Sequence, residues 1–214
     1  MKTEHLPAIV PIFPLTGALL LPFGQLPLNI FEPRYVSLIE DALGTHRLLG
    51  MIQPRGAEGA VIGDNGDIFD TGCLGRITEF TDPGDGRYEI VLTGLCRFKV
   101  EQELELYNGY RRVKVCYETF LKDLDPCETE ITNRESLIEA LRQYFDRQSL
   151  DADWDTLKEV PDSVLVTTAA MGCPLKPEEK QLLLEASDLS NRAENLQAIL
   201  EIAIHGKNAT TARH

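Results

Sequence analysis

Cysteine has the widest chemistry of any residue type in this chain, since its thiolate can bind metals and attack carbonyl groups. Five cysteines occur, and no two are close in sequence: Cys73, Cys96, Cys116, Cys127 and Cys173. An odd number of scattered cysteines without a CxxC pair predicts reduced thiols, and the spacing gives a zinc site no support. Cys96 alternates with Phe98 and Val100, so we expect a buried structural thiol there and not a nucleophile.

A second group of candidate residues is the acidic run in LDADWDTLKEVPD. Its members are Asp151, Asp153, Asp155, Glu159 and Asp162. The DxDxD spacing is that of a calcium loop, which also needs glycine at the sixth position and glutamate at the twelfth. Thr156 and Asp162 occupy those two positions. Because the glycine of the sharp turn is missing, we interpret this run as a solvated linker and expect neither a metal ion nor a cofactor.

Motifs of nucleotide binding and hydrolysis do not appear in the sequence. The single Gly-Lys pair is followed by asparagine, where a P-loop needs a serine or threonine hydroxyl, and no predicted strand precedes it. GxSxG and HExxH are absent as well. The glycine-rich GAEGAVIGDNGD lacks the strand-glycine-helix context of a dinucleotide site, so it predicts a flexible hairpin loop.

Charge argues against two classes of partner. The formal net charge is -13, which disfavours binding to nucleic acid or anionic lipid. Arg111 and Arg112 beside Tyr107 and Tyr110 resemble a small nucleic-acid patch, but with this net charge they are better interpreted as an ordinary strand surface. We therefore expect no nucleic-acid partner and no membrane partner.

The apolar stretch IFPLTGALLLPFGQLPLNIFEPRY could be a targeting signal or part of a core. Pro7, Pro11, Pro14 and Pro22 interrupt every apolar run in this region. A signal peptide needs an unbroken run of about 7–15 residues and a membrane helix about 20. The stretch fits neither, and a cytoplasmic protein is expected.

The N-terminal half of the sequence is predicted to be β-rich. Short apolar runs bounded by proline or glycine predict strands at residues 8–13, 25–30 and 48–53. Alternation in RYEIVL, CRFKVE and RVKVCY predicts half-buried antiparallel strands, with a turn at TDPGDG and a bend or bulge at Gly94. One helix follows Pro33, with Tyr35, Leu38, Ile39 and Ala42 on its buried face.

The C-terminal half has helical periodicity instead. Helices are predicted at residues 131–148, 161–171, from Pro177 onward, and from about residue 188 to 204. The fold class is therefore α+β, with a β-rich subdomain at residues 1–120, a helical subdomain at 121–206 and a mobile tail at 207–214.

Three motifs then point to a family. FPL at 13–15, LPL at 26–28 and FEPRY at 31–35 follow one another in the order seen in the N-terminal, substrate-binding domain of Lon proteases. The resemblance continues in GCLGRITEF, DGRYEIVLTGLCRFKV and KPEEKQLLLE, and so covers nearly the whole chain. It implies a PUA-like pseudo-barrel of twisted antiparallel strands with one helix, followed by a helical bundle.

The resemblance also implies binding of unfolded or exposed apolar protein segments, or of one protein partner. Lon places an ATPase module and a Ser-Lys protease module after this domain, and this chain is expected to end before them and to be no enzyme. Candidate contact residues are Leu19, Leu20, Leu21, Phe23, Arg34 and Tyr35. For the apolar four, burial in the core is the alternative.

Two other functions stay open from the sequence. A cryptic hydrolase would bring a cysteine or serine within hydrogen-bond reach of a histidine in a pocket. RNA binding is suggested by the PUA-like fold, although a fold alone does not carry a function.

Overall fold

The computed structural model describes residues 6–56, 66–125 and 130–206. Most of the predicted glycine-rich loop, Cys127 and the C-terminal tail lie outside these ranges. The strands are β1 Ile9–Pro14, β2 Gln25–Ile30, β3 Leu48–Pro54, β4 Ile68–Thr81, β5 Tyr88–Tyr107 and β6 Tyr110–Cys116. The helices are α1 Pro33–Leu43, a 3₁₀ helix Glu118–Leu124, α2 Arg134–Gln148, α3 Trp154–Glu159, α4 Asp162–Gly172, α5 Pro177–Glu185 and α6 Leu189–His205. The predicted α+β class is confirmed.

Six strands form one sheet in the order β2-β5-β4-β3-β1-β6, and a further pairing between β5 and β6 closes five of them into a ring. The sheet is mixed and not wholly antiparallel as predicted, because β1 and β3 pair in parallel. The reason is the chain path. β2 and α1 come between β1 and β3 along the chain, which is the long crossover that a parallel pair requires.

The length of β5 explains how the sheet both closes and extends. Its first residues, 88–93, pair with all of β2 and with the end of β4. Its later residues pair with the start of β4 and with β6. We call β2, residues 88–93 of β5 and residues 76–81 of β4 the three-stranded extension of the ring. Gly94 lies at the junction, where the β4–β5 register shifts, so the predicted bend is a bulge within one continuous strand.

The core of the ring is apolar and includes Val10, Ile12, Leu74, Phe98 and Val113. β4 was not among the predicted strands. Its residues 71–75 are buried on both faces, so this part of the strand lacks the alternation that marks a half-buried strand.

Helix α1 begins at Pro33, and its buried residues are the four predicted from its periodicity. Its contacts tie it to the ring: the Tyr35 ring lies 4.2 Å from that of Phe13 in β1. Asp41 accepts a hydrogen bond of 2.9 Å from the hydroxyl of Tyr110 in β6.

The chain forms two compact units, residues 1–126 with 175–184, and residues 127–174 with 185–214. Helix α5, placed by the sequence in the helical subdomain, lies mainly in the first unit. Buried polar side chains account for this. The Gln53 amide donates to the carbonyl of Pro177 at 2.8 Å, and the Arg97 guanidinium donates to that of Leu184 at 2.9 Å. Such long-range bonds leave no periodic signal in the sequence.

The second unit contains α2, α3, α4 and α6. The middle of the acidic run predicted as a linker forms α3, because the Asp153 carboxylate accepts a hydrogen bond from the Thr156 amide and caps the helix. Asp162 pairs with Arg134 at the start of α2, so it is a structural residue here.

Among the described residues, no helix combines the length and the apolar character needed to cross a bilayer.

Candidate functional site

The six candidate contact residues divide by burial. Leu19, Leu20 and Leu21 are 2%, 1% and 0% exposed, so they belong to the core. The segment formed by these leucines lies against Gly94 and Gly75, where the absence of a side chain leaves room for it. The three leucines are therefore inaccessible to a partner. Phe23 is 55% exposed and is the apolar residue of this segment that a partner can reach.

Hydrogen bonds hold the segment before Phe23 in place. The amide of Gly17 donates to the Gln53 side chain at 3.1 Å, and the Lys180 ammonium donates to the carbonyl of Gly17 at 2.8 Å. At the other end, the amide of Phe23 donates to the carbonyl of Gly94 at 2.9 Å. The leucine segment is thus fixed at both ends, and Phe23 is presented from a rigid base.

Phe23 also has an unusual backbone. Its φ is 63°, in the left-handed region that a bulky residue rarely adopts. Glycine or asparagine would adopt this conformation at lower cost. This conformation belongs to the turn that precedes β2, and the ring that it carries is accessible to a partner.

Arg34 and Tyr35 have local roles at the start of α1. Arg34 pairs with Glu32 at 2.9 Å, and its guanidinium lies 4.7 Å from the centre of the Tyr35 ring. Tyr35 is only 8% exposed and packs on Phe13. These contacts organise the helix N-terminus, and they leave a partner contact for these residues as a prediction.

The three-stranded extension carries an apolar surface that the sequence did not reveal. Residues opposite one another in a sheet share a face, and the register places Leu28 opposite Ile90 and Ile90 opposite Phe80. Ile90 is buried, whereas Phe80 is 39% exposed. We call the half-buried and exposed residues of this face the apolar patch: Leu26, Leu28, Phe80 and Tyr88.

The apolar patch could not be predicted from the sequence, because it depends on how the strands pair. Alternation in QLPLNI and RYEIVL shows which residues of each strand share a face, but the pairing of β2 with β5 joins positions that are about 60 residues apart. Phe80 is added by a bulge between Ile77 and Glu79. A register shift of one residue moves a side chain to the opposite face, so the patch exists only once the register is known.

The free edge of β2 is poorly suited to adding a further strand. Pro27 lies at its centre, opposite Val91, and proline has no N–H with which to continue a ladder. Proline is one of the devices that block edge-to-edge pairing. A partner is therefore better accommodated on a face of the extension than at its edge.

Two buried thiols lie within the ring. Cys96 donates to the carbonyls of Arg97 and Phe120 at 3.3 Å each. Burial raises the pKa of Cys96 to about 12, with a further contribution from Asp123, and burial also raises that of Cys73. Both groups are thus protonated thiols at neutral pH, as expected for a structural role of Cys96.

The burial of Cys73 and Cys96 predicts a contrast in alkylation. With iodoacetamide at pH 8, we expect the half-buried Cys116 to be modified at least about tenfold faster than Cys73 and Cys96 in the native protein. Peptide mapping by mass spectrometry measures each site, and unfolding in urea, as the control, should make the three rates similar. Equal native rates would contradict the burial of the two ring thiols.

The closed mixed sheet with its three-stranded extension carries an apolar patch and, just before β2, an exposed phenylalanine in a left-handed backbone conformation. Residues 9–201 match the model of the family described as the ATP-dependent protease La (LON) substrate-binding domain. The chain belongs to this family, which confirms the resemblance found in the sequence.

Individual relatives agree with the family match. The Lon protease of Anaeromyxobacter dehalogenans is 27% identical over 209 residues, covering 94% of this chain and 24% of that protein. Lon protease 2 of Sorangium cellulosum is 32% identical over 118 residues, which cover 54% of this chain and 15% of that protein. The chain thus spans at most about a quarter of the length of these relatives.

Solved structures share the fold. The Lon N-terminal domain protein from Xanthomonas campestris matches with a TM-score of 0.61 and 25% identity, over 89% of this chain and 97% of that one. The N-terminal domain of a Mycobacterium avium complex Lon protease also gives 0.61, at 17% identity, over 90% of this chain and 98% of that one. The second likeness concerns the fold alone.

Proposed function

We propose that this protein is a non-catalytic binding module that recognises unfolded or exposed apolar protein segments and serves as a substrate-binding factor or adaptor in protein quality control. Membership of a substrate-binding domain family supports this role. The observation that carries the proposal is Phe23, a phenylalanine that is 55% exposed and held in a left-handed backbone conformation just before β2.

The contact surface consists of Phe23 and the apolar patch. Exposed apolar side chains grouped on one structural element are typical of interaction sites. The rings of Phe80 and Tyr88 are in contact, with centres 5.0 Å apart and planes tilted by 54°, which gives a partner side chain two aromatic surfaces. An extended apolar segment that lies across this face buries area on both sides, which is the source of its binding free energy.

The test of this role uses a denatured model protein and a set of apolar peptides. Replacing Phe23 by serine, or Phe80 by serine, is expected to weaken binding at least about fivefold, because each change removes aromatic contact area worth about 1 kcal/mol or more. Fluorescence anisotropy at micromolar protein concentration measures the dissociation constants.

The control is Ile202→Ser. Ile202 is an apolar residue of α6, 68% exposed and remote in sequence from the extension, so its loss should leave binding unchanged. The proposal fails if the unaltered protein binds no peptide of a broad array at micromolar concentration. A weakening by Ile202→Ser equal to that by Phe23→Ser would remove this surface from the proposal.

A further inference from the structure

Two carboxylates lie beside the aromatic end of the apolar patch. The Tyr88 hydroxyl donates to Glu40 Oε1 at 2.9 Å, and the Phe80 and Tyr88 rings contact each other at a tilt of 54°. Asp82 follows Phe80 by two residues. The hydrogen bond to Glu40 raises the pKa of Tyr88, and the negative charges of Glu40 and Asp82 contribute as well. The pair of rings therefore lies beside a region of negative potential.

The arginines on the neighbouring parts of the chain are paired with other carboxylates. Arg87, which precedes Tyr88, pairs with Asp85 at 3.0 Å, and Arg34 of α1 pairs with Glu32 at 2.9 Å. No ion pair within the described ranges involves Glu40 or Asp82. The formal net charge of -13 adds a background of the same sign, so the region favours a cation.

We propose that the preferred occupant of the apolar patch is an extended apolar segment that carries a lysine or arginine. The alkyl chain of that residue lies along the Phe80 and Tyr88 rings, and its cationic end reaches Glu40 and Asp82. This inference rests on the proposed function and names the class of segment that the same surface selects.

Three physical effects act together in such a contact. Lysine and arginine bury their methylene groups on apolar surfaces while the charged end stays in water. A cation near an aromatic face is attracted by the ring quadrupole. The carboxylates add an ion pair that is modest at an exposed site, and they repel a segment that carries glutamate or aspartate. Discrimination therefore comes from repulsion as well as attraction.

The experiment uses three labelled apolar peptides that differ at one central position, occupied by lysine, glutamine or glutamate. We expect the lysine peptide to bind about 5–10-fold more tightly than the glutamate peptide, with the glutamine peptide between them. Added salt should reduce this ratio, because it screens exposed charges.

The variants Glu40→Gln and Asp82→Asn test whether these two carboxylates cause the preference for the lysine peptide. Each amide keeps an oxygen that can accept the native hydrogen bond, from the Tyr88 hydroxyl or from the Gly84 amide, so the fold should persist. In the double variant the ratio of lysine to glutamate peptide should fall below about twofold, while binding of the glutamine peptide is unchanged. Glu105→Gln, which removes an exposed carboxylate near the far end of β5, should leave the ratio unaltered.

The outcomes separate this inference from the proposed function. Equal binding of the lysine and glutamate peptides, or a ratio that persists in the double variant, overturns the cationic preference and leaves apolar recognition standing. Absence of binding by the uncharged glutamine peptide counts against the proposed function itself.

Discussion

Replacing Gly94 by alanine is expected to lower the free energy of unfolding by about 3 kcal/mol or more. A Cβ at this position would lie 2.0 Å from the carbonyl oxygen of Leu21 and 2.7 Å from its carbonyl carbon. Carbon and oxygen atoms need about 3.3 Å even in close C–H···O contacts. The obstacle is backbone, so no rotamer change can relieve it.

The surrounding hydrogen bonds make the clash harder to avoid. The Gly94 amide donates to the carbonyl of Gly24, and the Gly94 carbonyl accepts from the amide of Phe23, both at 2.9 Å. Moving the leucine segment away from β5 breaks these bonds and opens the core where Leu20 and Leu21 are buried. The substitution therefore disturbs packing and the base of Phe23 together.

Urea unfolding followed by circular dichroism measures the loss for Gly94→Ala. Gly44→Ala is the matched control, because a Cβ on Gly44 lies 3.5 Å from the carbonyl oxygen of Glu40, an ordinary contact. We expect the control to shift stability by less than about 1 kcal/mol. Similar losses in the two variants would contradict the close approach of the leucine segment to β5.

The features that the sequence predicted are those set by local rules. Helix α1 follows from Pro33 and from apolar spacing over three turns, and β2 follows from a short apolar run bounded by glycine and proline. What the sequence did not predict depends on long-range pairing. The parallel pair of β1 and β3, the doubly buried β4 and the association of α5 with the ring arise from contacts between distant residues.

The residues of the candidate site also depend on contacts between distant parts of the chain. Phe23 was one of four apolar candidates in this stretch, and it is the one that the structure leaves exposed, at 55%. Its three leucine neighbours lie in the core, because Gly75 and Gly94 on β4 and β5 provide the space. No property of LLLPF itself distinguishes these two environments, since the decisive residues lie more than 50 positions further along the chain.

Arg97→Met is expected to cost about 3–5 kcal/mol of unfolding free energy. The Arg97 side chain is 4% exposed, and its guanidinium makes a bidentate pair with Asp123, with both N–O distances 2.8 Å. It also donates to the carbonyl of Leu184 in α5 and lies 4.4 Å from the centre of the Phe120 ring. One side chain thus joins β5, the 3₁₀ helix and α5.

Methionine fills much of the volume of arginine but leaves the Asp123 carboxylate, 10% exposed, without its cation. The cost comes mainly from this uncompensated charge, since burial of an unpaired ion is far more costly than exchange of a whole pair for apolar residues. Urea unfolding gives the loss. Lys114→Met is the matched control, because the Lys114–Glu101 pair is about half exposed and should contribute less than about 1 kcal/mol.

A double variant separates the charge from the packing. If the unpaired carboxylate causes the loss, Arg97→Met combined with Asp123→Leu should recover at least about half of the stability lost by Arg97→Met alone, because the buried charge is gone. If the double variant is no more stable than Arg97→Met, the loss lies in the bonds to Leu184 and in the packing on Phe120. A loss below about 1 kcal/mol for Arg97→Met would contradict a buried pair at this junction.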